Sequence, residues 1–264
     1  MFSLVCVYDN EKVLADYLLK SLKEQTAQFE LIKIDNAKGE FKSVARAFND
    51  GAKRARGEYI MFVHQDVDLR SKTWLEDAEK ILGSIPDLGI AGVAGARRKT
   101  NGAGLETISN IEYGTPAKNA GNTTIAEPTK VQTVDECLTI IPRSVFGMQQ
   151  FDEKVCDSLH LFAVDYCLSI LRQRLNVYVI PAYVYHRSSG KSKKGSLPKA
   201  YFVSLGKLIR KHKKDYRYIY TTCGLWRSGH PLFLQRVIYP RMIKFGFRSL
   251  WRKSGLKRLC SRTE

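Results

Sequence analysis

Four places in the chain set acids or amides beside an apolar run. They are Tyr8-Asp9 after "FSLVCV", Asp35-Asn36 after "FELIKI", His64-Gln65-Asp66 after "EYIMFV", and Asp135-Glu136 before "CLTIIP". A single acid at a strand exit is ordinarily a turn or helix-cap former. Four acids meeting at one edge of a sheet instead make a polar site, because ligands of open parallel sheets sit beyond the carboxyl ends of the strands. Such an edge can bind a nucleoside diphosphate when a divalent cation bridges carboxylate and phosphates, and Asp66 is the residue expected to hold that cation. Asp66 could alternatively cap the helix "SKTWLEDAEK", but Ser71 is nearer to that helix and better placed. A dinucleotide site would need G-x-G-x-x-G after the first strand, and "VYDNEK" contains no glycine; a Walker loop is absent as well.

The elements that must position these residues alternate between strand and helix. "FSLVCVY" at 2–8, "FELIKI" at 29–34, "EYIMFV" at 58–63 and the Gly-rich "GIAGVAGA" at 89–96 read as strands, with glycines that serve close packing. Between them, Val13, Leu14, Tyr17, Leu18 and Leu22 recur at helical spacing behind an Asn10 cap, as do Val44, Ala45, Phe48, Ala52 and Ala55 in the next helix. Strands alternating with helices from the first residue predict an α/β fold with a doubly wound, mostly parallel, Rossmann-like sheet. Residues 97–128, rich in Gly, Asn and Thr, read as a long surface loop with a hairpin. "KVQTVDECLTIIP" reads as one strand ending at Pro142, a helix follows near 159–173, and Pro181 breaks "NVYVIPAYVYHRS" into two extended pieces.

The charge is unevenly placed. The chain has 264 residues and a formal charge of +17, yet residues 187–264 hold 21 Lys/Arg against two acids, leaving 22 against 24 in residues 1–186. The composition changes beyond His186, which predicts a body at 1–189 and a basic, largely helical C-terminal extension at 190–264. The six cysteines lack C-x-x-C pairing or a disulfide framework, which predicts a reducing, cytoplasmic setting. Neither a signal peptide nor a run of about 18 apolar residues is present to suggest export or a membrane span.

In order and spacing, residues 2–190 resemble the family 2 glycosyltransferases of GT-A fold. "VYDNE" is similar to that family's opening nucleotide loop, "IDNA" to its second-strand acid, and "ARAFNDGAKRARGEYIMFVHQD" to the stretch leading into D-x-D. The likeness extends to the subgroup, including StrF-like proteins of antibiotic biosynthesis, that carries H-Q-D there. The resemblance implies a nucleotide-sugar half at 1–96 and an acceptor half at 97–189. Tyr8, Asp9, Asp35, Asn36, Arg46, Asn49 and Gln65 would bind the nucleotide sugar. Asp66, with the late strand-end His186, would hold Mn²⁺ or Mg²⁺. His64 stands where most members have the first acid of D-x-D; as a neutral imidazole it would either ligate Mn²⁺, suiting Mg²⁺ poorly, or act as a donor behind the ligands.

Transfer with inversion needs a carboxylate to take the acceptor's proton. The resemblance places it at a helix start after "FDE", in a segment aligned on His160. There Ala163 occupies the usual position and Asp165 survives, so Asp165 is the expected base, with Asp157 or Asp135 as alternatives. Asp135, Glu136 and His160 would face the acceptor.

In the extension, a helical wheel of 241–252 puts Arg241, Lys244, Arg248 and Arg252 opposite Met242, Ile243, Phe247, Leu250 and Trp251. A basic amphipathic helix of this kind suits an anionic membrane surface, and the resemblance favours that partner over nucleic acid. The expected activity is metal-dependent, inverting transfer from a nucleotide-diphosphate sugar to a saccharide or lipid-linked acceptor in bacterial surface polysaccharide synthesis, at the inner face of the cell membrane. The rival expectation, motivated by Ala163 and His64, is a catalytically impaired relative that binds membrane or nucleic acid.

Overall fold

The computed structural model describes residues 1–121, 123–187, 197–232 and 235. The strand Phe2–Tyr8 is apolar throughout because it is buried on both faces, and successive side chains enter different cores. Phe2, Leu4 and Cys6 pack with Leu14, Leu18 and Leu22 of a helix at 11–23 and with Trp74, Leu75 and Ala78 of the helix Trp74–Gly83. Val5 points the other way, into a cluster with Ala45 and Phe48 of Val44–Ala52 and with Phe162, Tyr166 and Ile170 of Phe162–Arg172. Tyr59–Val63 divides likewise, its odd residues joining the first core and its even ones the second. Helices therefore cover both faces of the sheet, and each fully buried Leu, Val or Phe contributes about 1.5–3 kcal/mol.

Seven strands form the central sheet, in the order Thr129–Lys130, Asn176–Val179, Leu88–Gly92, Leu138–Pro142, Tyr59–Val63, Phe2–Tyr8, Phe29–Asp35. All run in one direction except Leu138–Pro142 and Thr129–Lys130, so the mostly parallel α/β fold holds. Asn10 caps the helix at 11–23 as expected, its Oδ1 accepting from the Val13 N–H at 3.0 Å.

Three segments depart from their sequence reading. "GIAGVAGA" is two strands: Leu88–Gly92 stays in the main sheet, and after Val93 the chain enters a second sheet as Ala94–Arg98, between Thr133–Val134 and Leu105–Ser109. Close approach is what its glycines permit, since a Cβ on Gly95 would stand 2.6 Å from the Thr133 carbonyl oxygen. "KVQTVDECLTIIP" is three short strands rather than one, because its two-residue pieces pair with different neighbours. Residues 97–128 are not one long loop but carry three short strands, Leu105–Ser109, Ile111–Tyr113 and Lys118–Asn119, all paired. Pro181 does separate two strands, Asn176–Val179 and Val184–His186, which enter different sheets.

The described part of the basic extension is a helix, Lys199–His212, and a hairpin, Tyr218–Thr221 with Gly224–Arg227. Tyr201, Leu205, Leu208 and Ile209 recur on one helical face and pack with Ile219 and Trp226 against Leu161, Val164 and Leu168 of the body. The lysines dominate composition, but this apolar stripe decides the packing. The amphipathic segment 241–252 lies outside the described residues.

Candidate active site

The strand Tyr59–Val63 delivers His64, Gln65 and Asp66 to the carboxyl edge of the sheet. The His64 N–H donates to the Cys137 carbonyl at 2.9 Å, anchoring the strand exit. Immediately afterwards, Val67–Asp68 pairs antiparallel with Val184–His186, placing His186 opposite Val67. That register brings His186 Nε2 to 3.1 Å from Asp66 Oδ1, and the Arg187 N–H donates to the Asp66 carbonyl at 3.1 Å. The rings of His64 and His186 are 5.5 Å apart, and one ligand atom from each of His64, Asp66 and His186 lies within 4.8 Å of the other two.

Electrostatics suit this trio to a cation. Burial, reinforced by His186, pushes His64 down to about 4 despite the opposing charges of Asp66 and Asp135. The imidazole is therefore neutral near pH 7, the form that ligates metals. Burial alone would raise the Asp66 carboxyl, but its hydrogen bond to His186 and its electrostatic interaction with the His186 and His64 rings outweigh it and hold Asp66 below its ordinary value. A divalent cation fits a donor set of two imidazoles and one carboxylate.

His64 and Asp66 line a cleft of about 380 Å³, together with the polar Tyr8, Asp9, Asn36, Gln65 and Arg187 and the apolar Val7, Val44, Phe48 and Leu159. Gln65 shapes it: its Oε1 accepts from the Asp9 and Asn10 N–H groups at 3.2 and 3.0 Å, while its Nε2 donates to Asp9 Oδ1. Asn36 clamps the following loop through both atoms of its amide, bonded to the backbone of Phe41. Asp35 lies opposite Tyr8 in strand register, its Oδ1 accepting from the Ala37 N–H at 2.8 Å. Asp35 and Arg46, both exposed, are not among the lining residues.

Two expected site residues serve the core instead. Asn49 is 4% exposed and holds Phe151 by both backbone groups, with a further bond to Glu153, so it fastens the helix Val44–Ala52 to the chain at 151–153 and does not reach the cleft. Asp165, expected as the base, is 1% exposed and bonded to Lys211 at 2.7 Å and to His212 at 2.8 Å. It faces the Lys199–His212 helix, where no acceptor hydroxyl can meet it. Ala163 is fully buried in the second core.

The remaining expected residues do gather near the trio. Asp135 accepts from the Cys137 N–H at 3.1 Å and from the Thr222 hydroxyl at 2.8 Å. Half-buried His160 meets Tyr201 edge-on at 5.8 Å, and burial lowers its pKa. Arg187 owes its place on the cleft wall to a β-register that the sequence does not print. Thr222 was missed because the lysine-rich composition hid the hairpin that carries it. Alternating Tyr218, Tyr220 and Ile219 before Gly224 was the signal available.

The fold is that of the GT-A class of glycosyltransferases. The chain belongs to the glycosyltransferase-like family, of the family 2 type, whose profile matches residues 3–195. Comparison with curated proteins finds no match. Among solved structures it is similar to TarS from S. aureus, at 16% identity and TM-score 0.51, covering 80% of this chain and 38% of that one. GalNAc-T7 with UDP, GalNAc and Mn²⁺ matches at 12% identity and TM-score 0.56, covering 81% and 47%. Mannosyltransferase PcManGT from Pyrobaculum calidifontis, in complex with GDP-Man and Mn²⁺, matches at 13% and TM-score 0.52, covering 91% and 68%. The chain thus spans less than half the length of the first two, and at these identities the likeness is one of fold. No helix among the described residues is long and apolar enough to cross a membrane.

Proposed function

We propose that this chain transfers a sugar from a nucleotide-diphosphate donor to a hydroxyl acceptor, with inversion, and that it belongs to the H-Q-D subgroup that includes StrF-like proteins. The observation that carries the proposal is the clustering of His64, Asp66 and His186 at the carboxyl edge of the sheet, against a nucleotide-sized cleft. The structures similar to it include TarS with UDP-GlcNAc and PcManGT with GDP-Man and Mn²⁺, which supports a nucleotide sugar as the donor and Mn²⁺ as the cation. A bound divalent cation would supply charge neutralisation for the departing diphosphate. This chain's own residues contribute the remainder: Arg187 offers a cation on the cleft wall that can form charge-assisted bonds to phosphate, and Tyr8, Asp9 and Asn36 border the nucleoside end.

Calorimetry with a panel of UDP-, GDP- and dTDP-sugars should find at least one donor that binds with Mn²⁺ and weakens by roughly tenfold or more when the cation is chelated, one such factor being about 1.4 kcal/mol. Absence of binding by every donor in the panel would favour the non-catalytic reading instead.

The acceptor we propose is a saccharide or lipid-linked sugar of bacterial surface polysaccharide synthesis, reached at the cytoplasmic face of the membrane through the basic segment 241–252. Removal of residues 241–264 should abolish co-flotation with anionic vesicles while leaving donor binding intact. Retention on neutral and anionic vesicles alike, or binding to single-stranded nucleic acid alone, would refute the membrane role.

A further inference from the structure

The carboxylates that sequence reasoning offered as proton acceptors are already engaged. Asp165 is held by Lys211 and His212, Asp157 by Lys207 and Ser204, and Asp135 by the Thr222 hydroxyl and the Cys137 N–H. Glu136 differs from them in having no side-chain partner among the described residues, only the backbone at the start of a helix. Its Oε1 is buried with no hydrogen-bond partner, while the residue as a whole keeps partial exposure.

Its position follows from the sheet. Leu138 is paired with Val63, and Cys137 accepts from the His64 N–H, so residue 136 runs alongside the exit of the strand that carries His64 and Asp66. The carboxyl is faced by the backbone of Leu161, Phe162 and Ala163, the start of the helix Phe162–Arg172, two residues beyond Leu159 of the donor cleft. A helix N-terminus favours negative charge and lets a carboxylate exist in a poorly hydrated place.

We propose that Glu136 is the general base of the transfer. The inference rests on the glycosyl-transfer reading above. The acceptor hydroxyl gives its proton to the Glu136 carboxylate as its oxygen bonds to the anomeric carbon. The bond from that carbon to the phosphate oxygen breaks, and its electron pair leaves on the nucleoside diphosphate.

The surroundings tune this group for the task. Burial first, then the charge of Asp135, push the Glu136 carboxyl up to about 8 against the opposing backbone of Ala163, Leu161 and Phe162. The other titratable groups that face it are Tyr201 on the Lys199–His212 helix, Cys223 at the hairpin turn, Cys156, and Cys167 on the Phe162–Arg172 helix. Burial raises each of them, to about 11 for Cys223, about 12 for Cys167 and well above the ordinary range for Tyr201 and Cys156, so they stay neutral where Glu136 titrates. A base with so high a pKa is fully competent only above pH 8, and below it the rate falls with the deprotonated fraction.

The test is Glu136→Gln, assayed with a donor and Mn²⁺ that the wild type binds. The variant should lose about 100-fold or more in kcat, the usual worth of general-base catalysis, with donor affinity unchanged. Wild-type kcat should fall by about tenfold per unit below pH 8, while the residual rate of Glu136→Gln should be independent of pH. Above pH 8 its melting temperature should equal or exceed that of the wild type, because there a neutral isostere replaces a buried charge, and Glu136→Asp should recover part of the rate. Donor binding with a wild-type kcat in Glu136→Gln would overturn the assignment alone. Failure of the wild type to bind or turn over any donor would overturn the transfer reading and this assignment with it.

Discussion

Asp66→Ala is expected to cut metal-dependent turnover by roughly 1000-fold, the scale of losing about 4 kcal/mol of charge stabilisation at a reacting phosphate. Asp66 is the sole carboxylate of the trio, and the backbone around it is fixed independently: the Val67–Asp68 pairing with Val184–His186 and the bond from the Arg187 N–H to the Asp66 carbonyl do not involve its side chain. Removing the carboxylate therefore leaves the two imidazoles in place and takes away the negative charge that attracts a dication. Titration of Mn²⁺ should show weakened cation binding, and donor affinity measured without metal should barely change. Turnover within about tenfold of wild type would remove Asp66 from the metal site, since that is the size of an effect transmitted from behind the ligands.

Asp165→Ala should instead unfold the protein more easily, by about 3–5 kcal/mol, the range seen when one partner of a buried ion pair is deleted. Asp165 lies between Lys211 and His212, and His212 is fully buried. Without the carboxylate, His212 loses the hydrogen bond of its Nε2 while its Nδ1 already has none, and Lys211 keeps only Asp152. The loss is concentrated on the seam between Lys199–His212 and Phe162–Arg172, where Tyr201, Leu205 and Leu208 meet Leu161, Val164 and Leu168. Denaturant melts should reveal the deficit, and limited proteolysis should open the chain near 199–212 first. At low temperature the donor cleft, lined by other residues, should still bind its ligand. A loss below about 1 kcal/mol would mean that the pair is solvated like a surface salt bridge.

Periodicity made the architecture legible. Apolar runs buried on both faces gave the strands of the parallel sheet, and residues at helical spacing gave the covering layers. The trio was legible too, because a strand exit must place His64 and Asp66 at the sheet edge whatever follows. Less legible was anything fixed by pairing between distant short strands: the split of "GIAGVAGA" depends on Val134 and Thr133 meeting Gly92 and Gly95. Asp165 misled for a related reason. An acid in an amphipathic helix reads the same whether it faces a cleft or a buried lysine, and its partners come from a segment whose lysine content reads as solvated surface. Glu136 and Asp135 are adjacent and chemically alike in the sequence, but a hydroxyl from the hairpin claims one of them and burial isolates the other.

His186 reaches Asp66 across 120 positions of chain. A cation held there would work as a clasp, fastening an early segment to a late one and shrinking the freedom of everything strung between them. Ligation and folding would then be two readings of one equilibrium, with the bound state stabilised by mass action as cation concentration rises above its dissociation constant.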